Sequence, residues 1–289
     1  MQYISFWRAL AALLPALFLC GFIYKKDRIE KEPVGLLAIL FGLGALSYFP
    51  ARLLARIAAG GMDRLFESRL SFGADGAAVY SSEAVRILHA LFAAFLASAF
   101  FSVLVRWCVL YFCTKNSRHF NYLFDGIVYS VFISLGFAAA ENVRFAFING
   151  WDTLLLHLIS SVPAHLFAGI LMGYYFSRYI TCREAARLET AWLAEGRIKE
   201  RKLGGTHVPL ALSFLVPFSV FGAFLFTGAV ESKAVQTVFY FVIFSLFGVS
   251  ILGINQIAEM DAPSRKFSEK LLRTKHPEVQ NDAEKEDAL

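Results

Sequence analysis

Cysteine is scarce: four residues in 289 (Cys20, Cys108, Cys113 and Cys182), with no CxxC pair, which excludes a disulfide framework and a cysteine-rich zinc cluster. No internal repeat is visible and no pair of interrupted helices occurs, so the usual marks of a secondary transporter are missing. The first apolar run lacks a small-x-small cleavage site, contains Arg8 and ends in lysines; it is read as a retained span and not as a leader. Little sequence is left over for a soluble domain. The net charge of +5 comes from basic residues beside apolar runs, so nucleic acid is not an expected partner.

What the chain has in abundance is apolar surface. It is 57% hydrophobic and 16% aromatic, with a mean hydropathy of +0.54, against about 45–50% apolar in soluble domains. Seven segments are long enough to cross a hydrocarbon core of about 30 Å: 4–24, 34–52, 86–113, 122–148, 153–178, 208–230 and 234–257. In lipid only helices satisfy their own backbone over such runs, so the expected fold is an all-α polytopic bundle of about seven transmembrane helices. Residues 1–258 form one membrane domain with a charged loop at 179–207, and 259–289 read as a polar, mobile tail. Lysine and arginine favour the first, third and fifth loops, although the second loop is also basic. This predicts a multi-pass plasma-membrane protein with its N-terminus outside and its C-terminus in the cytosol.

Several polar groups lie within these spans. A carboxylate deep in an apolar helix costs on the order of 2.5–3.5 kcal/mol on insertion scales unless it is paired or hydrated. At about 1.5 Å per residue, Glu141 in the fourth span lies about 10 Å below the outer face and His165 in the fifth about 18 Å below it. Arg106 in the third span stands about 10 Å above the inner face and Asp125 about 5 Å, which predicts an Arg106–Asp125 ion pair between the two spans. Glu141 has Arg144 one turn along its own helix. His165, Gly169 and Gly173 recur every four residues on one face. That stripe is either a small-residue packing seam or a groove beside a midplane imidazole that admits a substrate segment.

The combination DGIVY, then GFAAAEN, then H-x-x-x-G-x-x-x-GYY resembles the PrsW family of intramembrane proteases, relatives of the CAAX-processing membrane proteases. The likeness runs from about residue 20 to residue 180. It implies site-1 cleavage of membrane-anchored anti-sigma factors, by chemistry resting on a Glu-Glu-x-x-Lys motif, the Glu of the EN motif, a later His and a late His-Gly-x-x-Asn/Asp. Carried over, Glu141, Asn142 and His165 are retained. The two motif glutamates fall on Ser102 and Val103, the motif lysine on Arg106, and the late pair on Phe221 and Leu225.

Peptide hydrolysis needs a water activated by a metal or a general base, and a catalytic zinc takes three protein ligands. One Glu and one His are too few. The first expectation is therefore a catalytically impaired homologue, possessing the fold and binding transmembrane segments or membrane partners. The alternative is a divergent active endopeptidase acting on membrane-anchored proteins such as anti-sigma factors; a small transporter ranks third. No cofactor is predicted, with zinc expected only if the protein is an active metalloprotease. Expected partners are membrane lipids and single-pass membrane proteins. A Ser102–His165 nucleophile is conceivable, but no acidic orienter is evident at that level.

Overall fold

The computed structural model describes residues 2–27, 29–72, 78–229, 233–259, 261, 263–277 and 279. The link at 230–232 and the end of the tail, 280–289, lie outside them. Helices dominate: α1 (Gln2–Lys26), α2 (Val34–Phe66), α3 (Glu83–Phe92), α4 (Phe100–Thr114), α5 (Leu123–Ile148), α6 (Trp151–Ala194), α7 (His207–Ala229), α8 (Lys233–Glu259) and α9 (Ser264–Lys275). Among the described residues, six helical stretches are long and apolar enough to span a membrane, α3 and α4 counting as one. The seventh expected span is α8, in which Phe244–Gln256 is the apolar stretch.

At the centre stands α5. Its span is 89% buried, against 22–56% for the other five, because small residues let neighbours in on several sides. A Cβ on Gly136 would fall on the Phe41 carbonyl and one on Gly44 on the Ile133 carbonyl, so α2 and α5 cross backbone to backbone. Gly126 and Gly173 do the same for α5 and α6. The start of α5 is closed by a capping box in which Asp125 accepts the backbone N–H groups of Asn121 (2.9 Å) and Tyr122 (2.7 Å).

Three elements differ from the hydropathy reading. Between α3 and α4, Ala93–Ala99 form a π-helical segment, with the Phe100 N–H bonded to the Phe95 carbonyl five residues back. The charged stretch after the fifth span, whose residues favour helix, is not separate from that span: α6 continues through it to Ala194, 44 residues in all, and ends where Gly196, not Gly204-Gly205, takes φ 74° and Arg197 N–H bonds Trp192 O. The second connection, expected as loop, holds a short antiparallel hairpin of β1 (Leu70–Phe72) and β2 (Ala78–Tyr80).

The tail is the fourth difference. Instead of floating free, α9 lies along α6, burying Ser264, Ser268 and Leu272 at a spacing of four. Ser268 Oγ donates to the Thr181 carbonyl (3.0 Å), and Ser264 N–H to Asn121 O (2.8 Å). The 29–33 link, the 115–122 link, the 195–206 link and α9 thus share one end of the bundle. The hairpin and the 149–150 turn occupy the other.

Candidate functional site

Midway along the bundle, α4, α5, α6 and α7 each send one or two side chains to a common point. His165 on α6 is the hub, almost fully buried. Its Nε2 lies 2.8 Å from Glu141 Oε2 and its Nδ1 3.1 Å from Arg106 Nη1. A guanidinium only donates, so Nδ1 must accept; the ring proton therefore sits on Nε2 and points at the Glu141 carboxylate. The result is a continuous Arg–His–Glu chain with a neutral imidazole in the middle. Arg106 Nε closes it by donating to the Ser102 carbonyl (2.8 Å).

Aromatic rings seal the chain. The Arg106 guanidinium carbon lies 5.0 Å from the ring centroids of both Phe137 and Phe221. The same two rings pack against His165, at 5.4 and 4.8 Å. Tyr48 of α2 backs Phe137 edge-on at 5.4 Å. Arg106 is the largest fully buried side chain among the described residues. The Glu141 side chain, by contrast, is 32% exposed on the bundle surface. Some buried polar atoms near this level have no partner: Arg106 Nη2, the Tyr48 hydroxyl and both amide atoms of Asn142.

Side-chain lean explains where counting along the spans misleads. Helical side chains tilt toward their own N-terminus. Because α5 and α6 run antiparallel, Glu141 leans toward the end of the bundle that carries α9 and His165 toward the opposite end. The expected offset of about 8 Å between them (at a rise of about 1.5 Å per residue) is thereby closed. The same lean carries Arg106 back toward Ser102 and His165, away from the other end of α4. The expected Arg106–Asp125 ion pair is therefore absent: Asp125 is spent on the α5 cap and Arg106 on His165. Likewise Glu141 bonds His165 and not Arg144.

The remaining predicted positions divide. Phe221 comes to the hub, while Leu225, one turn on, packs only at the edge of the core. Ser102 contributes its carbonyl; both nitrogens of His165 are taken, so no Ser102–His165 couple forms. Val103 is fully buried in the apolar core. The Gly169–Gly173 stripe is not an open groove. A Cβ on Gly173 would meet the Gly126 carbonyl and one on Gly169 the Ser134 side chain at 2.9 Å, so α5 itself fills the seam. Phe137 and Tyr48 went unmarked in the sequence, since an aromatic in an apolar helix carries no signal of its own.

These residues do not fit a catalytic zinc. Such an ion takes three protein ligands and leaves one position open. Among the described residues no group of three His, Cys, Asp or Glu side chains converges. His165 has its lone pair turned to a guanidinium, whose charge opposes a dication. A second imidazole, His157, lies nearby, stacked on Phe145 at 4.0 Å with its Nε2 unpartnered, and with Glu141 it makes only two available ligands.

Residues 32–251 match the family described as PrsW family intramembrane metalloprotease. Among individual relatives, the chain is similar to a protein named Protease PrsW from Geobacillus kaustophilus, 28% identical over 74% of this chain and 76% of the relative. It is also similar to proteins of the same name from Halalkalibacterium halodurans, 32% identical over 58% and 67%, and from Bacillus subtilis, 26% over 73% and 88%. No solved structure matches.

Proposed function

Because the chain belongs to the PrsW family of intramembrane metalloproteases, we propose that it is a hydrolytically impaired member that binds transmembrane segments or membrane partners without cutting them. One observation carries this reading: both ring nitrogens of His165 are committed, one to Arg106 and one to Glu141. An imidazole in that state offers no lone pair to a metal and no base to a water. With Ser102 and Val103 at the motif-glutamate positions, no second acid supports it. The lysine and arginine distribution favours placing the end that carries α9 in the cytosol and the N-terminus outside.

A second reading is favoured by Glu141 itself. Its carboxylate is partly exposed and hydrogen-bonded to an imidazole, as a general base for water would be. In that reading the protein is a divergent endopeptidase acting on membrane-anchored proteins, and Arg106 Nη2 and the Asn142 amide hold water or a peptide carbonyl. Co-expression with single-pass membrane proteins, including anti-sigma-factor types, separates the two. The impaired reading predicts an uncut partner that co-purifies with wild type, Glu141→Ala and His165→Ala alike. Cleavage by wild type that either variant abolishes overturns it.

A further inference from the structure

A second polar feature lies at the end of the bundle that carries α9, well away from His165. A cleft of about 560 Å³ opens between the α4–α5 link, the far part of α6 and the start of α9. Its walls carry five cations, Lys115, Arg118, Arg183, Arg187 and Arg265, against one carboxylate, Glu184. Arg265 is paired outward with Glu269 and Glu184 accepts from Ser268 Oγ at 3.3 Å. The other four cations enter no ion pair among the described residues.

Arg183 is the built element of the group. Its Nη1 donates to the Lys115 carbonyl (2.8 Å) and its Nη2 to Asn116 Oδ1 (2.7 Å), so neutral acceptors fix the guanidinium and leave its charge uncompensated. The Lys115 ammonium is held over the Tyr111 ring at 4.1 Å. Four like charges gathered round one opening repel each other unless an anion enters.

The level of the cleft says which anion. On α6 no charged residue occurs between Asp152 and Arg178, so the hydrocarbon ends near Arg178. Ile180 to Arg187 then lie about 3–13 Å beyond it at a rise of about 1.5 Å per residue. That is the zone of lipid headgroups. Planar guanidinium groups match phosphate oxygens two at a time.

We propose that this cleft is a binding site for a phosphate-bearing headgroup, which bridges the α4–α5 link and α6 and holds the start of α9 against them. The shared chemistry is a phosphate ester or free phosphate, and anionic membrane lipid is the source at that depth.

The test uses the full-length protein reconstituted in phosphatidylcholine with and without phosphatidylglycerol. Phosphatidylglycerol retained per protein is read by native mass spectrometry, and order of α9 by hydrogen exchange over Ser264–Lys275. Arg118 and Arg187 are exposed and make no hydrogen bond or ion pair among the described residues, so Arg118→Gln/Arg187→Gln leaves the fold intact. It should lower phosphatidylglycerol retention roughly tenfold or more and speed exchange in α9. Arg197→Gln/Lys199→Gln removes the same charge outside the cleft and should change retention by less than about twofold. Displacement of the lipid by inorganic phosphate would assign the site to free phosphate, and resistance to it would assign a lipid headgroup. Equal losses in both double variants, or retention untouched by Arg118→Gln/Arg187→Gln, overturns the proposal.

Discussion

Two glutamate–histidine pairs in this protein have the same 2.8 Å separation and opposite surroundings. At the end where α9 docks, Glu189 Oε1 accepts from His276 Nε2 and from the N–H groups of Lys202 (2.7 Å) and Leu203 (2.9 Å), while Oε2 faces Arg201 at 3.4 Å. Both side chains are fully buried, and the carboxylate is saturated. Glu141, by contrast, accepts from His165 alone among the described residues and stays partly exposed; here the arginine has gone to the far nitrogen of the ring. A carboxylate next to an imidazole is therefore no evidence of catalysis by itself. What distinguishes the pairs is unused bonding capacity, which at the α9 clasp is nil on the carboxylate and at the midplane lies on Glu141.

Substitutions can break that contrast in order of size. Arg106→Ala should cost most, on the order of 3–5 kcal/mol, because it opens a void between Phe137 and Phe221 and strands the His165 Nδ1. Thermal unfolding in detergent measures it. Glu189→Ala should follow at about 2–3 kcal/mol, since two backbone donors and His276 lose their acceptor, and limited proteolysis should show α9 released. Glu141→Gln should cost only about 0.5–1.5 kcal/mol in the same melt, because the amide oxygen still accepts from His165 Nε2. A loss as large as that of Glu189→Ala would mean that Glu141 is as saturated as its counterpart.

A pH-dependent effect, read on a separate scale, concerns a buried carboxylate with no histidine at all. Glu32, in the α1–α2 link, has Oε2 without a partner. Burial pushes its pKa up to about 7, with the Asp27 and Glu30 charges adding to the rise and the Tyr129 hydroxyl opposing it. The folded state thus holds a proton that the unfolded chain gives up near pH 4.5. Stability falls as pH rises through that window, from about 4.5 to about 7. Glu32→Gln should flatten the decline, and melting curves at pH 5 and pH 8 should then converge. An unchanged slope would show that Glu32 is solvated.

Much of the bundle is readable from apolar run length, because a lipid-spanning backbone has few alternatives. Glu141 and His165 stand out as residues that cost energy where they sit. Their pairing is harder to read: counting residues locates a Cα, whereas Arg106, His165 and Glu141 meet through side chains several ångströms long. The Gly169–Gly173 spacing announces close helix contact without saying which helix makes it, and α5 turns out to be the partner. The docking of α9 was written in Ser264, Ser268 and Leu272, a stripe too polar to register as apolar periodicity. Glu189, which clasps it, sits in a charged segment that suggested only a solvated or membrane-surface helix.

The wide turn at Ala93–Ala99 bears on how this sequence aligns with its relatives. A π segment accommodates an inserted residue without ending the helix. Each residue gained or lost there swings everything downstream by about 100°. Within a single insertion, then, Ser102, Val103 and their neighbours trade places on the face turned to the imidazole. Homologues lacking the bulge would present a different pair of side chains from an almost identical string of letters.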